Sequence, residues 1–532
     1  MLYFLVLASL VFITYTNALN NVFLSDDLAE IVNNPNVGNL LAGISTHPTG
    51  FIRPVIYWLS FHIGGLNPFF FRITNLLFHL GSTVLVFTII NRIHKAEKVA
   101  FFAAALFAVH PAIAEAVVWI SGGMYTQYTV FFLLSFLFYI LSAKKKLFYL
   151  LSSIFYLLSL MSHPQMPLFL FLMFPLFEFS FGNLRKNWTK VIPFLLISII
   201  YVFINISALP ERETTLQSVH YQERGSDNPF VLIPVAISSY LELLVFPKDL
   251  TLYHSELAFG PMQFILRALF TLAFLATLVL AFKKNRSYFF WLSFFWLALA
   301  PTLTPFRLNW IVAERYFYLP SIGIFVCVAL LLNNIVNKKR YQNIIYAIFI
   351  IAIILLSVRT IFRNIDWKNE DNLWIATGKT SPSSPNTHNN LGDVYGRWGD
   401  KQKALQEFQT AIALKPNYGD AYHNLANTYR ELGDLDKALE NYLKAAEFNP
   451  GLWQSYQNIA AIYFQAKQYD KALEFLQKAI QINPKNINLR NNLGIVYLGM
   501  GEKQKAKELF QLVLQSDPQN QFAQQGLIDS SK

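Results

Sequence analysis

The sequence predicts an all-α protein in two parts, a polytopic membrane helical bundle of about eleven spans followed by a C-terminal α-solenoid. Three observations carry this. The 532 residues are 54% hydrophobic and 16% aromatic but only 14% charged, well under the roughly 25% charged residues of soluble domains. Basic residues gather in five short gaps between apolar runs. The last third of the chain repeats with a period of 34 residues.

The opening MLYFLVLASLVFITYTNALNN carries no basic residue and has an apolar run long enough to cross a bilayer. A signal peptide starts with Lys or Arg and ends in small residues, so this segment is expected to be a retained first span. The basic gaps are Arg92/Lys95/Lys98, Lys144/Lys145/Lys146, Arg185/Lys186/Lys190, Lys283/Lys284/Arg286 and Lys338/Lys339/Arg340. With Glu97 they carry +14, against −3 for the rest of residues 1–365, and the positive-inside rule places them in the cytoplasm. Spans threaded between them fall at roughly 2–19, 69–90, 99–118, 124–142, 147–162, 165–182, 191–209, 262–282, 287–305, 316–336 and 341–360. The N-terminus is then cytoplasmic and the C-terminus lies on the outer face. Phe230–Phe246 is apolar enough to span, but counting it would turn Lys283–Arg286 outward. It reads as a re-entrant or interfacial element on the outer face.

Residues 366–532 hold 18 basic and 18 acidic residues, so the net charge of +11 belongs to the membrane part. That excludes a basic nucleic-acid-binding tail. The single cysteine, Cys327, permits no internal disulfide and no cysteine zinc site, and neither a metal nor a cofactor is expected.

The period of the soluble part can be counted. Pro416, Pro450, Pro484 and Pro518 are 34 apart, as are Tyr395, Tyr429, Tyr463 and Tyr497, and Ala404, Ala438, Ala472 and Ala506. Small residues Gly392, Ala426, Ala460 and Gly494 keep the same step. This is the tetratricopeptide pattern of paired helices, with small residues where helices touch and Pro closing each repeat. The domains predicted are residues 1–365 in the membrane, 366–384 as linker and capping helix, and 385–532 as repeats 385–418, 419–452, 453–486 and 487–520. Asp371–Ser381 is expected as a half-repeat capping the stack. The sixth residue of every repeat is asparagine: Asn390, Asn424, Asn458 and Asn492. An amide both donates and accepts, so a ladder of them can hold an extended acceptor polypeptide by its backbone, an arrangement that resembles the asparagine ladder of the O-GlcNAc transferase superhelix. Hydrogen bonding within the repeats is the alternative.

Under this topology the polar residues of the apolar part collect on the outer face. Asp26, Asp27, Glu30 and Arg53 fall in the first outer loop. His110, Glu115 and Trp119 lie in AVHPAIAEAVVWISGG, His163 in LMSHPQMP, and Tyr253, His254 and Glu256 follow Phe246. Arg307, Glu314, Arg315 and Tyr318 close the set. Ionisable groups at membrane depth are costly and usually face a bundle interior or a water-filled path. Arg72, Asn75 and His79 share one face of the second span, where Arg72 and His79 read as structural pairs or snorkelling side chains. The gathering of both charge signs on one side reads as a site. A carboxylate can act as general base on a hydroxyl, and arginine binds phosphate through a planar, permanently charged fork. A lipid-phosphate sugar, its phosphate at headgroup level, needs both. Glycosidase carboxylates stand about 5–10 Å apart across the bond, which sequence neighbours seldom achieve.

The segments SDDLAEIVNNPNV, RPVIYWLSFHIGGLNPFFFRITNLLFHL, HPAIAEAVVWISGG and AERYFYLPSIG, followed by the repeats, resemble the transmembrane-and-tetratricopeptide O-mannosyltransferase family of the GT-C superfamily. The resemblance implies a metal-independent, inverting transfer of one mannose-like hexose from a polyprenyl-phosphate donor to Ser/Thr hydroxyls of exported proteins. It implies catalysis by the pair Asp26–Asp27, with Asp26 the base and Asp27 aiding the acceptor. It implies Arg315 as a ligand of the donor phosphate; the outer-face gathering adds Arg53 and His163 to that role, in a site also lined by His110, Glu115, Tyr253 and Glu314. Related chains often carry a Ser-Lys-Glu triplet where this one reads Ser162–His163–Pro164, so His163 stands in for a phosphate-holding lysine. Four repeats suggest a prokaryotic relative, in the plasma or inner membrane. Two rival readings are a lipid-linked oligosaccharide ligase or polymerase, whose donor carries a diphosphate, and a non-enzymatic membrane-anchored repeat scaffold. A transporter is disfavoured, because no pair of Gly/Pro-broken half-helices recurs in the two halves.

Overall fold

The computed structural model describes residues 1–142, 145–205, 228–252, 254, 259–303 and 311–531; Tyr253, Glu256 and Arg307 of the expected site lie outside them. All regular structure among the described residues is helical. The chain divides into two compact units, Met1–Ser381 and Pro382–Lys532. Helix Glu370–Thr380, expected to cap the repeats, therefore belongs to the first unit.

Four helices of the first unit are long and apolar enough to cross a membrane: Pro68–His94, Gly123–Leu141, Pro261–Lys284 and Gln342–Asp366. Two bent pairs raise this to six, and five further apolar helices run 10–17 residues. The expected span 99–118 is one of the bent pairs, turning by 63° between Glu97–Val109 and Pro111–Val118. Pro111 causes the bend, since it has no N–H to continue the ladder and pushes His110 out of the helical region, to ψ 126°. The expected span 165–182 begins as 3-10 helix, Met166–Leu172, before becoming α-helical at Met173–Ser180. Phe230–Phe246, expected to be re-entrant or interfacial, is one unbroken helix, Pro229–Val245.

The core forms where side chains are small. Helix Glu97–Val109, reading EKVAFFAAALFAV, buries its alanines completely and packs against Pro68–His94 and Ser321–Val336, because small residues let helix backbones approach. Gly323 does the same, as a Cβ there would stand 2.3 Å from the Trp291 carbonyl oxygen. Pro261–Lys284 and Gln342–Asp366 instead leave long apolar side chains such as Leu266, Phe270, Ile351 and Leu355 exposed, the surface a helix shows to lipid.

In the second unit each repeat is a helix pair, beginning with Pro385–Arg397 and Lys401–Leu414. The small residue of the first helix meets a large one of the second, Gly392 against Phe408 and Gly494 against Phe510. The recurring tyrosine lies under a recurring lysine: Lys403, Lys437, Lys471 and Lys505 stand 5.0–5.3 Å from the ring centres of Tyr395, Tyr429, Tyr463 and Tyr497. The turn inside the repeat needs a left-handed residue, supplied by Gly399, Gly433 and Gly501 at φ 81–82°. The third repeat uses Lys467 at φ 56°. Asp400 and Asp434 cap the following helices by accepting from the N–H of Lys403 and Lys437, whereas Gln468 makes no such bond.

Candidate active site

The first acidic segment folds as a tight turn. Ser25 takes φ 52°, a left-handed conformation costly for a residue with a Cβ, and the Asp27 N–H donates to Leu24 O. The turn sends the two acids apart. Asp26 is exposed and Asp27 fully buried. Asp27 accepts three hydrogen bonds, from Leu24 N at 3.1 Å, Ser121 N at 2.8 Å and Ser121 Oγ at 2.6 Å. Burial pushes its carboxyl up to about 6, against the pull of the Ser121 and Leu24 bonds and of Arg72. The segment that follows, Leu28–Val32, is a single π-turn, and Asp27 at its start makes no side-chain cap bond to it.

Polar side chains of helix Pro68–His94 hold the loops around this turn. Arg72 donates to Val118 O at 2.8 Å, Val22 O at 3.0 Å and Asn21 O. Asn75 donates to Trp119 O and Ile120 O at 3.1 and 3.2 Å. His79 bridges Tyr318 Oη and Ala108 O. Each is a structural contact, as the sequence suggested for Arg72 and His79. Nearer the surface, Arg53 pairs with Glu30 at 2.7 Å, within electrostatic reach of Asp26, and the Tyr57 hydroxyl donates to Glu30 at 3.3 Å.

A second cluster forms where AERY meets the bend after His110. Arg315 binds Glu115 twice, through Nη1 at 2.5 Å and its backbone N at 3.0 Å. Glu314 accepts from Arg363 at 3.0 and 3.3 Å and from Thr251 N at 2.5 Å. Burial pushes the Glu314 carboxyl above the usual carboxylate range, opposed by Arg363 and reinforced by Glu115. Between the two arginines lie two indoles. Trp119 and Trp367 stack with centroids 5.9 Å apart, Arg315 5.4 Å from the Trp119 centroid and Arg363 5.7 Å from that of Trp367. Gly122 makes room for this loop, as its Cβ would come within 3.2 Å of the Trp119 ring.

The structure thus brings Glu115, Glu314 and Arg315 together. His163 packs on Tyr125 at 4.9 Å, and Tyr125 lies 6.0 Å from Tyr316, which joins it to the same aromatic layer. His110 is turned aside: its Nε2 donates to Leu244 O and its ring packs on Phe325. Sequence reasoning did not find Ser121, Arg363 or Trp367. Only Arg363 left a trace, an arginine buried at the end of the apolar run that closes the membrane part.

In the repeats, the amide of Asn390 donates to Asn386 O, that of Asn424 to Asn389 Oδ1 at 3.1 Å and that of Asn458 to Asn427 Oδ1 at 3.4 Å. Two of these bonds join one repeat to the preceding one, so one amide donor each of Asn390, Asn424 and Asn458 is engaged within the stack.

Tetratricopeptide repeat models match residues 385–418, 419–452 and 463–528, the first two with the boundaries read from the sequence. A protein O-mannosyl-transferase of Caenorhabditis elegans is 24% identical over 451 residues, covering 78% of this chain and 63% of its own. Human protein O-mannosyl-transferase TMTC1 is 24% identical over 496 residues, 76% of this chain and 54% of that one. Human TMTC4 is 24% identical over 494 residues, 76% and 65%. Over about three quarters of its length the chain is thus similar to proteins named protein O-mannosyl-transferases. It spans a little over half to about two thirds of the length of these O-mannosyl-transferases. Among solved structures, the MamA protein is 20% identical with a TM-score of 0.26, over 36% of this chain and 91% of that one.

Proposed function

We propose that the chain is a membrane O-glycosyltransferase that moves one mannose-like hexose from a polyprenyl phosphate to Ser/Thr hydroxyls of polypeptides at the outer membrane face. The observation that carries this reading is the division of labour in the acidic pair. Asp27 is fully bonded and buried, while Asp26, beside Arg53, is free to meet a hydroxyl. Asp26 takes the proton of the acceptor hydroxyl as its oxygen bonds to the anomeric carbon. The bond from that carbon to the phosphate oxygen breaks, and polyprenyl phosphate leaves with the electron pair. A positioned carboxylate typically supplies ~10²–10⁴-fold. Displacement from the opposite face inverts the sugar and needs no metal.

Arg315 and Arg53 hold the phosphate in this reading, with His163 behind the tyrosine layer. Eleven spans, five basic loops inside and repeats outside put the Asp26 turn at headgroup depth. The ladder's amide oxygens, with one donor each of Asn390, Asn424 and Asn458 engaged inside the stack, accept backbone N–H groups of the acceptor polypeptide.

The test is transfer from a synthetic polyprenyl-phosphate hexose to a Ser/Thr peptide by the purified full-length protein. Asp26→Asn is expected to lose transfer by the factor above with normal folding. Wild-type rates in Asp26→Asn, or transfer only from a diphosphate-linked oligosaccharide, would refute the reading. Arg315→Ala is expected to weaken donor binding about 10-fold to 100-fold, from charged hydrogen bonds of roughly 1.5–3 kcal/mol.

A further inference from the structure

The stacked pair Trp119–Trp367 carries an unresolved account of hydrogen bonds. Trp119 is 7% exposed and Trp367 not at all. Neither indole N–H has a hydrogen-bond partner among the described residues. An indole nitrogen can only donate, and a buried donor left unpaired is rare and unfavourable. Other buried polar atoms among the described residues also lack a partner, Trp296 Nε1 among them; what sets Trp119 and Trp367 apart is that their rings stack on one another and each lies against an arginine.

Their surroundings indicate what would satisfy them. Arg315 lies over one ring and Arg363 over the other, so both faces of the pair meet cations. The nearby carboxylates are already engaged, Glu115 by Arg315 and Glu314 by Arg363 and Thr251. The unfilled capacity around the pair is therefore donor capacity, apart from His254 Nε2, 3.9 Å from Glu314 and also unpartnered. A sugar hydroxyl brings a donor that must find an acceptor of its own, whereas a phosphate oxygen brings only acceptors. The pair also sits beside the acidic turn: Trp119 is two residues from Ser121, which holds Asp27, and Lys368 O accepts from Val22 N in the first loop.

We infer that the indole N–H groups of Trp119 and Trp367 donate to phosphate oxygens and, with Arg315, form the seat of a lipid-linked phosphate. This rests on the polyprenyl-phosphate reading above and adds two ligands to it. The guanidinium over each ring draws electron density from it and strengthens its N–H as a donor, while the stack keeps both donors in place before the ligand arrives.

Phenylalanine is the informative replacement, since it keeps an aromatic ring on Cβ and removes the N–H. Full-length wild-type, Trp119→Phe and Trp367→Phe proteins are compared in detergent for binding of a short-chain polyprenyl monophosphate without sugar, and of the matching uncharged polyprenol. Each variant is expected to bind the monophosphate roughly 10-fold or more weakly, as for a hydrogen bond to a charged acceptor, with polyprenol binding unchanged. Because the pyrrole N–H has no protein partner, a Trp119→Leu control that also loses the ring should lower the melting temperature further than Trp119→Phe does. Unchanged monophosphate affinity in both Phe variants overturns the inference and leaves the polyprenyl-phosphate reading standing. Equal weakening for polyprenol also overturns it, because the rings would then be binding lipid. A wild-type protein that binds no polyprenyl monophosphate overturns both.

Discussion

Replacing the two acids of the opening turn separately should divide stability from chemistry. Asp27 is buried, with all three of its hydrogen bonds accepted from Leu24 N, Ser121 N and Ser121 Oγ. In Asp27→Asn the amide can keep an oxygen towards Ser121, but then sets an NH₂ against the Leu24 N–H. The Leu24 N–H and the amide NH₂ then face each other unpaired, at a cost of about 1–3 kcal/mol per donor. Asp27→Ala removes every acceptor; the Ser121 hydroxyl can rotate away, so two backbone donors are stranded and the cost is roughly 2–6 kcal/mol. Against a typical total of about 5–15 kcal/mol, the first should lower the melting temperature measurably and the second should threaten folding. Asp26→Asn, at an exposed position, should melt with the wild type. The assay is thermal unfolding of the full-length protein in detergent, alongside transfer activity on the same samples. An Asp27→Asn protein that melts like the wild type would refute the hydrogen-bond reasoning. If it also lost transfer, Asp27 would have to touch substrate.

Further predictions concern packing, pH, topology and the ladder. Gly392→Ala would place a methyl 2.5 Å from the Phe408 ring, and overpacking of this kind costs about 1–3 kcal/mol, to be read as loss of hydrogen-exchange protection in the first repeat. His388 faces Glu407 at 2.6 Å and Pro382 O at 2.8 Å, and the Glu407 bond raises its pKa. A histidine raised on folding contributes stability fully below its ordinary value of about 6.5, lost as pH rises through the folded value. Protection of helix Pro385–Arg397 should therefore fall as pH rises above about 6.5, after correction for intrinsic exchange, and His388→Gln should flatten the profile. In a Cys327→Ser background, an impermeant maleimide on intact cells should label a cysteine at Ser383 and none at Lys145; the reverse pattern would invert the proposed orientation. Asn424→Ala with Asn458→Ala should raise KM for protein acceptors and spare short peptides, while equal effects on both would assign the ladder to the stack alone.

The repeats were legible because their period is written in residues that pack locally. Gly392 meets Phe408 within one helix pair, and Tyr395 meets Lys403 eight residues on. The helices of the membrane part were legible as apolar runs, but the 63° turn at Pro111 and the 3-10 start at Met166 were not read from hydropathy. The acidic pair was found by its position and its chemistry. Its division into a buried and an exposed member was not, because Ser121 lies 94 residues away and only tertiary contact chooses which acid it takes. Arg363 and Trp367 escaped for the same reason, their partners Glu314 and Trp119 being set by packing between distant segments.

The turn of the third repeat has a consequence for how the stack comes apart. A solenoid's stability is close to a sum over repeats and their interfaces, so its cooperativity is limited by its weakest link. Lys467 holds a left-handed angle that three glycines hold elsewhere, and Gln468, like Glu502 in the fourth repeat, leaves uncapped a helix start that Asp400 and Asp434 cap in the first two. A left-handed residue with a Cβ costs about 1–2 kcal/mol, and a missing cap about 1 kcal/mol. Together they make residues 463–471 the place where fraying from the C-terminus should pause or break through. The superhelix would then behave as two cooperative segments joined at a compliant seam, and an elongated guest lying across all four repeats would feel a clamp whose jaws differ in stiffness.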